Sequence, residues 1–192
     1  MTLIEALAVA LALIYLWLAA RQSLWCWAAA FISSWGFAWL MWQAQLLAEF
    51  GLQLTYVALA VYGWWQWRYG AGQVSATVAA QPRYSWRWHL IAIGLLSIVA
   101  ALVALGLARY TEAQAVWLDT YTTIYSLFAT WLLTRKAIEN WWYWLVIDSA
   151  YIYLYLQQQL WLLAGLFALY VVMVVYAIWQ WRQGRRQLSP EA

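Results

Sequence analysis

The sequence predicts an all-α membrane protein of seven transmembrane helices, arranged as two parallel three-helix repeats on either side of a linker helix. Three observations predict this fold: the composition, the number of apolar segments, and a self-similarity at one fixed shift. Of the 192 residues, 68% are hydrophobic and 9% are charged, whereas a soluble domain carries about 25% charged residues. The chain is therefore expected to lie in a lipid bilayer.

Seven segments of the chain are apolar and about 20 residues long, the length with which a helix crosses a bilayer. They cover residues 2–20, 23–42, 45–67, 87–108, 115–134, 139–157 and 160–182. Very short turns join the second helix to the third and the sixth to the seventh, so each of these pairs is predicted to form an antiparallel hairpin. The first segment starts at Thr2 with no basic n-region and no small-residue cleavage site, which favours a retained helix over a signal peptide.

The basic residues predict the orientation of these helices. With seven spans, only Arg109 falls on one side of the membrane, and the other nine fall on the side of the C-terminus: Arg21, Arg68, Arg83, Arg87, Arg135, Lys136, Arg182, Arg185 and Arg186. Because basic residues accumulate in cytoplasmic loops, we expect the C-terminus in the cytoplasm and the N-terminus outside. Topology thus accounts for the net charge of +3, and no nucleic-acid partner is predicted.

An internal repeat appears when the chain is shifted by 114 residues, which carries Arg21 to Arg68 onto Arg135 to Arg182 without a gap. The run Trp65-Gln66-Trp67-Arg68 then falls on an identical run, Trp179-Gln180-Trp181-Arg182. Two three-helix units separated by one helix enter the membrane from the same side, so the repeats are parallel, an arrangement that resembles the SWEET type of sugar transporter. The predicted division is 1–68 for the first repeat, 69–116 for a cytoplasmic loop and linker helix, 117–182 for the second repeat, and 183–192 for a cytoplasmic tail.

The sixth helix carries an acid, Asp148, in the middle of a membrane span. At steps of three and four residues, Trp141, Trp144, Asp148, Tyr151 and Tyr155 project from one helical face. A charge at membrane depth is costly unless it is paired or faces a wet cavity, so Asp148 is a candidate for contact with a substrate. The alternative is that Asp148 only caps or hydrogen-bonds a neighbouring helix.

Other polar side chains at membrane depth cluster on three helices. They are Trp35 beside Ser33 and Ser34, Gln53 with Tyr56, and the stripe Asp119, Thr122, Ser126 and Thr130. The Gln53 amide needs hydrogen-bond partners in hydrocarbon, which favours a functional role. The hydroxyls of the stripe either line a site or bond their own helix backbone, as such residues often do in membranes.

Several kinds of chemistry are not supported by the sequence. It contains no phosphate-binding glycine loop and no HExxH zinc motif. The single cysteine, Cys26, excludes an internal disulfide and a cysteine metal site. We therefore predict no enzyme, no catalytic residue, no metal site and no cofactor.

Three stretches resemble the Pnu family of B-vitamin transporters, whose PnuC-type members carry nicotinamide riboside. They are LQLTYVALAVYGWWQW (Leu52–Trp67), LLTRKAIENWWYWLVID (Leu132–Asp148) and GLFALY (Gly165–Tyr170). The resemblance implies a multi-pass protein of the bacterial inner membrane, a homotrimer, which lets an unphosphorylated vitamin diffuse inward to be trapped by cytoplasmic phosphorylation. It also implies that the substrate site is lined by Gln53, Tyr56, Asn140, Trp141 and Trp144.

The family also contains thiamine transporters (the PnuT branch), and Asp148 favours that substrate. Nicotinamide riboside transporters commonly carry Asn at this position, whereas a carboxylate, which only accepts hydrogen bonds, pairs better with an aminopyrimidine or a thiazolium charge. We therefore predict facilitated thiamine uptake, with nicotinamide riboside as the alternative cationic vitamin and a non-transporting accessory membrane protein as the alternative of another class. The predicted substrate site comprises Trp35, Gln53, Tyr56, Thr122, Ser126, Asn140, Trp141, Trp144, Asp148 and Tyr151.

Overall fold

A computed structural model describes residues 3–43, 47–70, 84–109, 116–157 and 159–186. These residues form seven α-helices: α1 (Leu3–Ala20), α2 (Trp25–Gln43), α3 (Leu47–Tyr69), α4 (Trp86–Ala108), α5 (Val116–Thr134), α6 (Asn140–Gln157) and α7 (Trp161–Arg186). Each helix begins and ends within a few residues of its predicted bounds. Most of the predicted loop 69–85, the last six residues of the predicted tail and parts of both hairpin turns lie outside the described residues.

Three helices end in the same way, at residues with positive φ: Gln22 after α1 has φ of 55°, Lys136 after α5 has φ of 54° and Gln159 after α6 has φ of 58°. The Gln22 N–H donates to the Ala19 carbonyl at 3.0 Å, and the Lys136 N–H donates to the Leu133 carbonyl at 2.9 Å. In each case the N–H of the next residue donates to the carbonyl five positions before it. This is the Schellman motif, which satisfies the last carbonyls of a helix and turns the chain sharply.

The helices pack as two groups of three, which we call the first trio (α1–α3) and the second trio (α5–α7). Within each trio the helices that are consecutive in the chain contact one another, and the trios meet where α1 packs on α7 and α3 packs on α5. Helix α4 packs mainly against one other helix, α5. Ser85 caps α4 by accepting a hydrogen bond from the Trp88 N–H.

One end of the bundle collects most of the basic residues, and we call it the basic end. There the C-terminal ends of α1, α3, α5 and α7 meet the N-terminal ends of α2, α4 and α6. The Lys136 ammonium lies 4.9 Å from the ring centroid of Trp67, and the Arg182 guanidinium lies 5.2 Å from that of Trp142. The largest buried cluster is centred near this end and includes Trp27, Trp67, Leu133, Trp141, Val174 and Trp181.

The outer surface of the helices is apolar. The most apolar 18-residue stretch of α4 has a mean hydropathy of 2.8, and 11% of that stretch is buried inside the protein. By length and composition, Trp86–Ala108 and Leu163–Gln183 both suffice to cross a membrane. Exposed apolar area on this scale is not found on soluble monomers, so the surface is that of a membrane protein.

Candidate functional site

A cavity of about 530 Å³ lies between the two trios. Every helix except α4 contributes to its wall. The lining residues are Ala12, Tyr15, Leu16, Trp27, Ala30, Ser33, Ser34, Phe37, Leu52, Gln53, Tyr56, Ala60, Asp119, Thr123, Ser126, Thr130, Trp141, Trp144, Asp148, Tyr151, Tyr155, Phe167, Tyr170 and Val174. A space of this size, walled by aromatic side chains with a few polar groups, is typical of a site for a small organic molecule.

The face of α6 that the sequence singles out forms one wall of this cavity. Trp141, Trp144, Asp148, Tyr151 and Tyr155 all line it. Their spacing of three and four residues places the side chains one above another along the helix. The wall therefore presents stacked aromatic rings with one carboxylate between them.

Asp148 is the group on this wall that most needs a partner. It is 3% exposed, and no hydrogen bond or ion pair joins its carboxylate to another described residue. A buried polar group is normally hydrogen-bonded and a buried charge is normally paired. No hydrogen bond among the described residues therefore supports the capping role of Asp148 that was considered from the sequence. Its carboxylate is available to a ligand in the cavity.

The opposite wall carries the predicted polar pair of α3. The Tyr56 hydroxyl hydrogen-bonds the Ser126 hydroxyl at 2.6 Å, which links α3 to α5. The Gln53 amide lines the cavity and makes no side-chain hydrogen bond to another described residue. Gln53 therefore offers the cavity both a donor and an acceptor.

Seven of the ten predicted substrate residues lie together around this cavity: Gln53, Tyr56, Ser126, Trp141, Trp144, Asp148 and Tyr151. The remaining three, Trp35, Thr122 and Asn140, do not line it. Trp35 follows the lining residue Ser34 but is 47% exposed, because adjacent residues of a helix point about 100° apart. Trp35, Thr122 and Asn140 are therefore not part of the site that we propose below.

Thr122 and Asn140 serve the backbone and the neighbouring side chains. The Thr122 hydroxyl donates to the carbonyls of Leu118 and Asp119 at 2.9 Å. Asn140 is fully buried and donates from Nδ2 to the Ala137 carbonyl at 2.7 Å. Asn140, the first residue of α6, is thus tied to the turn that precedes this helix.

The predicted substrate residues include seven of the 24 residues that line the cavity, although a signal for others existed. Nine pairs of lining residues are separated by the same 114 positions: Ala12/Ser126, Leu16/Thr130, Trp27/Trp141, Ala30/Trp144, Ser34/Asp148, Phe37/Tyr151, Gln53/Phe167, Tyr56/Tyr170 and Ala60/Val174. Applying the shift to these seven predicted residues leads to seven further lining residues: Ala12, Trp27, Ala30, Ser34, Phe37, Phe167 and Tyr170. The cavity is thus lined by corresponding positions of the two trios.

The charge of the lining is negative. Among the described residues that line the cavity, Asp119 and Asp148 are acidic and none is basic. Asp119 is exposed and lies in the first turn of α5, so the cavity reaches the surface near that helix end. Trp27 and Trp141, near the basic end, are 1% and 0% exposed. Of the two carboxyl groups in the lining, Asp119 is thus exposed and Asp148 is buried.

Two other possibilities fit a functional site less well. A space of about 630 Å³ lies between α4, α5 and α6, but its wall is almost entirely apolar and open on one side, as expected of a surface that faces lipid. Among the residues that the structure describes, no three His, Cys, Asp or Glu side chains come together to hold a metal ion. The central cavity is therefore the candidate site.

Comparison with known proteins places this geometry in a family. The profile of the family described as "Nicotinamide mononucleotide transporter" matches residues 2–183. The riboflavin/roseoflavin transporter RibM of Streptomyces davaonensis is 29% identical over 139 residues, which cover 72% of this chain and 65% of RibM. The nicotinamide riboside transporter PnuC of Escherichia coli is 29% identical over 136 residues, which cover 58% of this chain and 56% of PnuC.

A solved structure shares the fold. The crystal structure of the vitamin B3 transporter PnuC superposes with a TM-score of 0.74 over 97% of this chain and 83% of that chain, at 18% identity. The chain spans less than two thirds of the length of RibM and PnuC of E. coli. The named relatives are transporters and not enzymes. Because the family profile covers nearly all of the sequence, the chain belongs to the nicotinamide mononucleotide transporter family, as its resemblance to the Pnu transporters predicted.

Proposed function

We propose that the protein carries a flat, positively charged B vitamin, first of all thiamine, inward across the bacterial inner membrane by facilitated diffusion. The observation that carries this proposal is the Asp148 carboxylate, which is 3% exposed, lines the cavity and has no protein partner among the described residues. A cationic ligand would supply the missing counter-charge. The same cavity without such a ligand leaves a buried acid uncompensated, which is costly.

The aromatic wall supports a flat cation. Trp144, Tyr151 and Tyr155 flank Asp148 on α6, and Tyr151 and Tyr155 stack on each other with centroids 5.9 Å apart. Cations are attracted to aromatic faces, by about 2 kcal/mol when the contact is desolvated. Thiamine combines a thiazolium charge with an exocyclic amine that can donate to a carboxylate, so it uses both features of the wall.

The architecture that would move this ligand is the parallel repeat. We infer that the two trios are related by an axis along the membrane normal, with α4 as the linker between them. The nine pairs of lining residues at one shift support this arrangement, since a cavity on such an axis meets equivalent positions of both repeats. The positive-inside rule supports a cytoplasmic basic end and an external N-terminus.

The sign of the cavity supports trapping by phosphorylation. Asp119 and Asp148 make the cavity anionic, and like charges disfavour each other most where water is scarce. A phosphorylated vitamin is therefore disfavoured in the cavity, whereas the unphosphorylated cation is attracted. Phosphorylation in the cytoplasm would then hold the vitamin inside without any ion gradient.

Nicotinamide riboside is the main rival substrate. It is also a flat cation, and PnuC of E. coli, named for this substrate, is among the relatives. Its carboxamide needs both a donor and an acceptor, which Gln53 offers. Riboflavin, which appears in the name of the RibM transporter, is neutral, so it would not account for a buried carboxylate.

Titration of the purified protein with thiamine, nicotinamide riboside and riboflavin tests the substrate. We expect thiamine to bind most tightly, at a micromolar Kd or below. Binding of nicotinamide riboside or riboflavin without binding of thiamine would replace thiamine by that vitamin. Thiamine phosphate is the matched control for charge, and we expect it to bind at least tenfold more weakly because of repulsion from the two carboxylates.

Uptake into proteoliposomes tests the mechanism. Labelled thiamine should enter without an ion gradient and stop when the two concentrations are equal. Accumulation against a gradient would contradict facilitated diffusion, and the absence of any flux would favour the accessory-protein alternative. Light scattering of the purified protein tests the homotrimer that the family resemblance implies.

A further inference from the structure

Two pairs of tryptophans close the cavity toward the basic end. Trp27 packs edge-on against Trp67, with centroids 5.4 Å apart and an interplanar angle of 88°. Trp141 packs in the same way against Trp181, at 5.6 Å and 85°. All four are at most 5% exposed. Trp27 and Trp141 line the cavity, so Trp67 and Trp181 support its floor.

Each supporting tryptophan also reaches across to the other trio. The Trp67 indole N–H donates to the Leu133 carbonyl, at the end of α5, at 3.1 Å. The Trp181 indole N–H donates to the carbonyls of Ala19 and Ala20, at the end of α1, at 3.2 and 3.0 Å. The Ala19 and Leu133 carbonyls also accept from the Gln22 and Lys136 N–H groups, so the indole bonds can break without unravelling the ends of α1 and α5. We call the two contacts the tryptophan clasps.

Trp27 and Trp141, the two tryptophans that line the cavity, differ from Trp67 and Trp181 in their hydrogen bonds. The indole N–H groups of Trp27 and Trp141 are buried and have no acceptor in the described part of the chain. A buried donor without a partner raises the free energy of the state that buries it. In this arrangement two of the four indole donors are hydrogen-bonded to the other trio, and two have no acceptor among the described residues.

We propose that Trp67 and Trp181 are positioning residues of an inner gate: their clasps hold Trp27 and Trp141 as a closed floor and separate to release the substrate at the basic end. The proposal rests on the transport function argued above, because a carrier whose cavity reaches the surface near Asp119 must open elsewhere to deliver its load. The two clasps are among the contacts between α1 and α7 and between α3 and α5, where the trios meet. Their release would let the trios part at this end.

Cys26 provides a reporter for this gate without added labels. It is the single cysteine of the sequence, is 0% exposed, and precedes Trp27. The variants Trp67→Phe and Trp181→Phe keep an aromatic ring but remove the N–H donor. We expect N-ethylmaleimide to alkylate Cys26 about five times faster in each variant than in the wild type, the factor that loss of one neutral hydrogen bond gives. Trp65→Phe and Trp179→Phe are matched controls, since both residues are 53% exposed, and they should react at the wild-type rate.

Loss of stability must be separated from gate opening. Ile147→Ala removes a buried side chain of α6 that does not line the cavity, and it should lower Tm without speeding alkylation at temperatures well below Tm. An unchanged alkylation rate in both clasp variants would overturn the proposal. So would a rise that Ile147→Ala reproduces at equal loss of Tm. Alkylation needs no substrate, so this result is independent of whether thiamine is the vitamin carried.

Discussion

The two trios share a frame but differ in what they present to the cavity. The helix end at Gln22 matches that at Lys136 in φ and hydrogen bonds, and the Trp27–Trp67 pair matches Trp141–Trp181 in distance and angle. At the cavity, Ser34 stands where the second trio has Asp148, and Ala30 stands where it has Trp144. The shared positions build the fold, and the differing ones build the site.

This difference gives the cavity a direction. The second trio supplies the buried carboxylate of Asp148, and the first trio supplies the amide of Gln53 at the position where the second trio has Phe167. A ligand with a charged ring and a neutral ring would therefore bind in one orientation. Two identical trios would offer two equivalent orientations and would gain no selectivity from the arrangement.

The largest effect should come from removing the acid. Asp148→Asn keeps the shape but removes the charge, and we expect thiamine affinity to fall more than tenfold, because charge-assisted hydrogen bonds contribute about 1.5–3 kcal/mol. Isothermal titration of the purified variant measures this. Ser34→Asn, at the corresponding position of the first trio, is the control and should change affinity much less. Unchanged affinity in Asp148→Asn would return Asp148 to a structural role.

Exchanging the side chains at positions 34 and 148 tests whether the two trios present these positions to the ligand in equivalent ways. In the double variant Ser34→Asp with Asp148→Ser, the acid moves to the matching place on the other wall. We expect about tenfold tighter thiamine binding than in Asp148→Ser alone, because the charge–cation attraction is restored. If the double variant binds no better than Asp148→Ser, the correspondence of the two positions does not extend to the ligand.

Gly63 marks a difference in packing between the trios. A Cβ at Gly63 would lie 2.5 Å from ring atoms of the buried Trp27, whereas the matching position, Ala177, already holds a methyl group. Gly63→Ala should therefore destabilise the protein by about 1–3 kcal/mol through overpacking, seen as a lower Tm. The matched pair Gly51→Ala and Gly165→Ala meets nothing within 4 Å and should be neutral or slightly stabilising. A Tm for Gly63→Ala equal to these would mean that Trp27 repacks freely.

The smallest effect concerns the two helix ends. Gln22 and Lys136 both adopt the left-handed conformation, which glycine reaches without a steric penalty of about 1 kcal/mol. We expect Lys136→Gly to raise Tm by less than relief of this penalty alone would give, because the substitution also loses the ammonium contact with Trp67. A gain as large as the full relief would show that this contact adds nothing to stability.

Much of the site followed from spacing alone. Asp148 and its four aromatic neighbours on α6 line one wall as the helical period predicts, because side chains three and four residues apart share a face. Trp35 was assigned by its neighbours in sequence, and the structure places it outward at 47% exposure. Thr122 and Asn140 are polar, but the Thr122 hydroxyl donates to carbonyls of its own helix and the Asn140 amide donates to the Ala137 carbonyl in the α5–α6 turn, which composition cannot reveal.

The sequence by itself determined the seven helices, their apolar surface, the duplicated pattern and the family, because each depends on residue type and on short, regular spacing. Only the tertiary structure decided which residues of different helices meet. The bond from Tyr56 to Ser126, the reach of Trp67 and Trp181 to opposite trios, and the lack of a partner for Asp148 among the described residues all depend on how helices far apart in the chain pack. Period and composition fix the face of a helix, but the identity of its neighbour is set by the packing of the whole bundle.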